Sequence, residues 1–346
     1  MNSPLTASFD REAMRALRQE LTEAGVFEAP TTWSWLKFGS TATAGLSLVL
    51  LCTMVPTVAA FFILPCAAIL LTVAALMGHE SAHNAACGTH QQNVLMTRLA
   101  FPLMSGLSER FWRYKHNRIH HKHTNVVGLD RDLEMYPMAL GHHYYLISNP
   151  IFQRFQRSVQ GLALWPLASL LSFGMRTKSI VHLIRELRSA EVSRNTWIDV
   201  ALMAIHYTLW LIVPMLFFSP INVLLTYLYV WMVVGLLLTA IFIAGHTGMP
   251  LVKEHNNPWL LQMFTSRNVK TGWWGAHLFV GLDNQIEHHL FPNISHKKMD
   301  VAASIVRRFA EERGLPYEED TWWPVLKDVT RHMVTAWKDE AVVMKG

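Results

Sequence analysis

Three histidine-rich strings hold the residues best suited to chemistry. The first, His79-Glu80-Ser81-Ala82-His83, directly follows a long apolar tract. Residues four apart lie on one face of a helix, so these two imidazoles could share one metal ion. The string also fits HExxH, in which Glu80 would be the general base of a zinc peptidase. A polar helix end without metal is the plainer alternative. The second string, His116-Asn117-Arg118-Ile119-His120-His121 followed by His123, packs four imidazoles into eight residues. Solvated loops are rich in lysine, serine and glycine, whereas histidine ligates metals more often than any other side chain. On a helix, His116 and His120 share a face while His121 is turned by about 100° and could serve a second ion. His123 is a supporting hydrogen-bond partner or an exposed residue. The third string, Gln285-Ile286-Glu287-His288-His289, is closed off by Phe291 and Pro292. His246 follows the last apolar tract as His79 follows an earlier one, which delivers both to the same membrane face. The isolated His90, His182, His206, His255, His296 and His332 read as ordinary core or surface residues.

Neutral imidazoles suit iron, copper, nickel and zinc alike, so spacing does not choose the element. Their number is more informative. Eight histidines are too many for one ion with an open position, and a two-metal centre accommodates them. A carboxylate-bridged di-iron site needs glutamates from two helices and two ExxH motifs. Only Glu80 to His83 fits that pattern, so a histidine-dominated centre is expected.

The elements that must carry these residues are membrane helices. Of 346 residues 51% are apolar and 16% charged, an unusual balance for a soluble chain of this size. Between Ala42 and Met77 there is no charge, over a length well beyond the roughly 20 residues of one span. Two spans are expected there, turning outside near Val55 to Thr57. A second tract from about Ile198 to Ala244 is broken at Ser219 and Pro220. Twelve lysines and arginines lie between Phe111 and Arg194, and neither outside turn has any, which makes the histidine side cytosolic. Met14, Leu17 and Leu21 recur opposite Arg11, Arg15 and Arg18 and predict an amphipathic helix on the membrane surface, stopping at Gly25. Residues 1–32 lack the pattern of a secretory signal. Tyr144 to Met175, interrupted by Arg154 and Arg157, suits a helix in the interface. Cys52, Cys66 and Cys87 form no CxxC pair and read as small buried hydrophobes. No basic run points to nucleic acid.

The expected fold is an all-α integral membrane protein of one domain, residues 1–346. It has four transmembrane helices as two hairpins (38–78 and 197–245). A cytosolic N-terminal segment (1–32), a cytosolic or interfacial segment (79–196) and a tryptophan-rich C-terminal segment (246–346) make a cytosolic helical cap that holds the metal centre. Both termini are cytosolic, in a bacterial inner membrane or the endoplasmic reticulum.

With these residues in view, the sequence resembles the membrane fatty acid desaturase family, whose three histidine boxes look like HESAH, HNRIHH and QIEHH. The similarity runs from about Gly78 to Pro292 and includes the strings HHKHTN, TSRNV and GLDNQIEHHLFP. It implies that His79, His83, His116, His120, His121, His246, His288 and His289 ligate two non-haem irons that activate dioxygen. The family reaction removes two hydrogens from an unactivated acyl chain, as acyl-lipid or acyl-CoA, while two external electrons and two protons reduce oxygen to water. Asp130, Asp132 and Glu134 are candidates to support the ligands, or else a solvated acidic turn. Gln285 in place of a histidine is similar to the front-end desaturases, which act between an existing double bond and the carboxyl group. Its amide could bind iron weakly, hydrogen-bond a water on iron, or simply end a helix. Many front-end enzymes carry a fused cytochrome b5 with an HPGG motif, which this sequence lacks, so a separate donor of ferredoxin or cytochrome b5 type is implied. Asp283, where asparagine is common, is a smaller departure. A hydroxylase on the same scaffold shares every motif, whereas a zinc protease leaves HNRIHH and QIEHH without a purpose.

Overall fold

The computed structural model describes residues 9–344. Helix α1 (Arg11–Glu23) begins at Asp10, whose carboxylate accepts the Glu12 and Ala13 backbone N–H groups. It ends before Gly25, whose φ of +66° is left-handed and costs glycine little. Helices α2 (Thr31–Leu51) and α3 (Thr57–Ala82) form the first hairpin. Gly45 lets them close, since a Cβ there would meet Leu71 Cγ at 3.0 Å and the Ala67 carbonyl at 3.2 Å. Small residues of this kind let membrane helices approach where the hydrophobic effect gives no drive. After α4 (Leu171–Leu187), helices α5 (Arg194–Met215) and α6 (Pro220–His246) form the second hairpin. Pro220 stands in the first turn of α6, where a missing N–H is harmless.

Three of these helices, α3, α5 and α6, are long and apolar enough to cross a membrane. The 21-residue α2 carries Lys37 and several Ser, Thr and Gly, and falls short of that hydropathy. Met54 and Phe62 are 82% and 69% exposed, as suits side chains that face lipid.

The remainder corrects several expectations. Leu17 and Leu21 of α1 are fully buried, in a core shared with α7 (Pro258–Thr265), α8 (Gln285–Leu290) and α9 (Met299–Arg313). The apolar stripe of α1 is therefore used in protein packing rather than laid on a membrane surface. The stretch expected as one interfacial helix is three short ones, His142–Leu146, Pro150–Ser158 and Gln160–Ala168, leading into α4. The C-terminal segment, which also contains α10 (Trp322–His332), is not all helical. Strand β1 (Val252–His255) pairs in parallel with β4 (Val342–Met344), and β2 (Arg267–Lys270) with β3 (Glu318–Thr321). Strands of three or four residues are too short for their alternation to show. Cys87 is buried but Cys66 is exposed on α3, because an apolar run does not distinguish a lipid-facing position from a core one.

Candidate metal centre

The last turn of α3 brings His79 and His83 together, with ring centroids 4.9 Å apart. Gly78, just before His79, lies against another chain segment: a Cβ there would sit 2.4 Å from Ala100 Cβ. Gly245, just before His246, has the same role, with a Cβ falling 2.4 Å from Gln285 Cγ. The ends of α3 and α6 are thus each thinned one residue before the histidine they deliver.

The ring nitrogens of His79, His83, His116 and His288 converge within 4.8 Å of one another, and those of His120, His246 and His289 form a second such group. His116, His120 and Asp132 form a third. His79 Nε2 approaches His116 Nε2 at 2.8 Å, and His121 Nε2 approaches His116 Nε2 at 3.1 Å. The ring of His121 lies 4.5 Å from that of His83 and 4.4 Å from that of His289. All eight expected histidines therefore meet in one buried region.

His116 and His120 share a face as expected, with rings stacked 5.3 Å apart, but the segment is not a regular α-helix. Arg113–Ile119 is π-helical and His120–Lys122 a 3₁₀ turn. The π turn also brings His121, five residues on, to 4.7 Å from His116 and 4.4 Å from His289, while His120 reaches His246 and His289 at 5.1 and 5.0 Å.

The surrounding contacts assign the remaining candidates. Asp130 is buried and accepts from His120 Nδ1 at 3.1 Å and from the backbone N–H groups of Asn125 and Asp132 at 2.9 Å. Asp132 pairs with Lys115 and lies 3.3 Å from His120 Nδ1. Glu134 instead pairs with Arg131 at the surface. Glu80 is buried but turned away from the rings, accepting from the His296 backbone N–H at 2.7 Å and from His296 Nδ1 at 2.9 Å. His123 stands outside all three convergent groups. Gln285 is buried, packs on Gly245 and lines the adjoining cavity.

Sequence reasoning missed several contributors. His296 anchors Glu80, Gln262 Oε1 meets His289 Nδ1 at 3.0 Å, and the Thr265 carbonyl meets His246 Nδ1 at 3.2 Å. Glu287 is held by Asn268 at 2.7 Å and Tyr317 at 2.9 Å, and burial pushes its carboxyl up to about 7. His296, Gln262 and Thr265 are single polar residues with no repeating neighbour, so no local pattern marks them, while Glu287 lies within the third string without a repeat to show its partners.

The rings suit a cation. Burial first, and neighbouring imidazoles second, hold His83, His116, His121, His288 and His289 well below the usual histidine range, which keeps them neutral. His83 Nε2, His288 Nε2 and His121 Nδ1 are buried with no hydrogen-bond partner among the described residues. Buried polar atoms rarely go unpaired, and convergent neutral nitrogens are what a first-row transition metal takes.

A cavity of about 570 Å³ opens beside these rings, within the usual range for small-molecule sites. His79, His116, His120, His246, His288 and His289 line it. From His246 it follows α6 through Phe242, Leu238 and Val234 to Trp231, a distance of roughly 22 Å at the helical rise per residue. Trp112 is stacked on His116 at 4.6 Å and lines the same cavity.

The profile of the fatty acid desaturase family matches residues 53–321. The Delta(5) fatty acid desaturase fat-4 of Caenorhabditis elegans is 27% identical over 71% of this chain and 56% of its own length. The sn-1 linoleoyl-lipid 6-desaturase of Arthrospira platensis is 24% identical over 61% and 60%, and the Delta(6)-fatty-acid desaturase fat-3 of C. elegans 24% identical over 90% and 72%. The chain thus spans less than two thirds of the length of the first two. The matched residues include all three histidine strings and both glycine-thinned helix ends, and with them the chain belongs to the fatty acid desaturase family.

Proposed function

We propose that this chain carries out oxygen-dependent desaturation of a fatty acyl chain, as acyl-lipid or acyl-CoA, at a di-iron centre. The observation that carries the reading is the juxtaposition of two histidine groups with one long apolar cavity. His79, His83, His116, His121 and His288 would hold one iron, and His120, His246 and His289 the other. Bound iron would supply the oxygen activation needed to remove two hydrogens from an unactivated chain. The protein's part is to bind, orient and exclude water. Leu76, Phe101, Trp112 and Phe242 line the cavity and would keep the reacting carbons dry. Asp130 holds the His120 ring in place from behind.

The cavity also favours front-end chemistry. Its arm along α6 would hold on the order of 17 extended carbons, each advancing the chain by about 1.3 Å, leaving the carboxyl end close to the metals. The names of its relatives, Delta(5), Delta(6) and sn-1 linoleoyl-lipid 6-desaturase, agree with that direction. Glu80 is engaged by His296, which argues against a peptidase base. The topology that goes with this reading is a single domain with four crossings, α2 pairing with α3 and α5 with α6, and both termini on the cytosolic side. Electrons would come from a separate donor of ferredoxin or cytochrome b5 type.

The test is lipid profiling of a desaturase-deficient host that expresses the chain, with metal analysis of the purified protein. New double bonds near the carboxyl end and about two irons per chain, one for each group, are expected. Hydroxylated lipids would replace the desaturase by an oxygenase, and unchanged lipids with a single zinc would overturn the reading.

A further inference from the structure

Each ring of the His120, His246 and His289 group meets a hydrogen-bonding partner at Nδ1: the Asp130 carboxylate, the Thr265 carbonyl and the Gln262 side chain. A carboxylate and a peptide oxygen only accept, so His120 and His246 donate from Nδ1 and keep the Nε2 lone pair. For His289 the answer depends on which end of the Gln262 amide faces it. The other end lies 2.9 Å from the His121 carbonyl oxygen, which can only accept, so the NH₂ group must be there. Oε1 therefore faces His289, and His289 also donates from Nδ1. The Thr124 hydroxyl lies 2.8 Å from Gln262 Oε1, 2.9 Å from the His120 carbonyl and 3.1 Å from His289 Nδ1, which is consistent with that orientation. Among the described residues, His79 Nε2 and His116 Nε2 face other imidazole nitrogens, and His83 Nε2 and His288 Nε2 have no hydrogen-bond partner.

Gln262 is itself buried in α7, between Leu261 and Met263 of the core that α7 shares with α1, α8 and α9. It touches both the backbone of the second histidine string and a ring of the third.

We propose that Gln262 is a positioning residue of the metal centre: its Oε1 fixes His289 with the proton on Nδ1, so that Nε2 is presented to an ion shared with His120 and His246. The inference rests on His289 being a ligand. Outer partners of ligating histidines fix the ring and raise its basicity, and losing one typically costs 10- to 100-fold in metal affinity.

The test compares Gln262→Glu with Gln262→Met in the purified full-length protein loaded with iron(II). The readouts are metal per chain and the rate of metal loss to a chelator, with melting of the metal-free proteins measured alongside. Glutamate keeps the acceptor toward His289 and gives up the donor toward the His121 carbonyl; methionine fills the space and offers neither. Gln262→Met should lose about half of the bound iron, with affinity at that position down 10- to 100-fold. Gln262→Glu should hold the parental amount and release it no faster. Parental retention in Gln262→Met would overturn the proposal. So would equal loss in both variants, since the role would then be only to tie the His121 backbone. If Gln262→Met does not fold, the release rate of Gln262→Glu against the parent decides alone, faster release counting against the proposal. A His289→Ala variant that keeps all of its iron would overturn the ligand reading itself, and this inference with it.

Discussion

Gly245→Ala tests whether the spacing between α6 and α8 sets the site. The added Cβ would lie 2.4 Å from Gln285 Cγ and 2.9 Å from its Cδ, where carbon atoms ordinarily rest about 3.5–4.0 Å apart. Something must move by about 1 Å, at a cost of roughly 1–3 kcal/mol for overpacking. Gln285 opens α8, and His288 and His289 follow it on the same short helix. Displacing α8 therefore moves two rings relative to His246. A misplacement of about 1 Å can lower a rate on the order of a hundredfold, so activity should fall far more than stability does. The assay is desaturated lipid formed per folded protein, with metal content in parallel. Truncating the partner supplies the control. In a Gln285→Ala background the colliding Cγ and Cδ are gone and only the Cβ at 3.2 Å remains, so adding Gly245→Ala should cost little. A single Gly245→Ala variant with parental activity would refute the reasoning, as would a double variant no better than the single one.

His120→Ala and His288→Ala should each abolish desaturation and lower bound metal, whereas His123→Ala should leave metal content at the parental level; elemental analysis distinguishes them. Asp130→Ala removes the acceptor for one ring N–H and two buried backbone N–H groups, each worth about 1–3 kcal/mol if left unpaired. A markedly lower melting temperature is expected, and an unchanged one would mean that these contacts do not matter. Leu238→Phe fills the cavity arm along α6 and should shift products toward shorter acyl chains. An identical chain-length profile would place the substrate elsewhere. Glu80→Gln should retain bound metal, since its carboxylate faces His296 rather than the rings, and metal loss equal to that of His288→Ala would contradict that geometry.

Much of this was legible because the relevant signals are local. Uncharged tracts, the break at Ser219 and Pro220 and the clustering of histidines need only neighbours in sequence to be seen. The pairing of His121 with His116 was not legible, because spacing was converted to direction at the α-helical pitch and the segment is wound as a π-helix. Gln262, Thr265 and His296 act on histidines brought to them by tertiary folding, and nothing beside them in sequence announces it. The amphipathic stripe of α1 was read correctly as a stripe, but its partner was not, since a lipid surface and a protein core ask for the same periodicity.

The packing of α1 on α9 also bears on how the chain is threaded. The two helices share one core, so in the proposed topology the residues before the first hairpin and those after the second would lie on the same side of the bilayer. A path that leaves and returns to one side crosses an even number of times. If α3, α5 and α6 all cross, as in the topology proposed above, parity would give the remaining passage to α2, whatever its hydropathy. Lys37 would then stand near the end of that passage, with its stem in the apolar layer and its ammonium at the rim, and tags fused to either end of the chain would report from the same compartment.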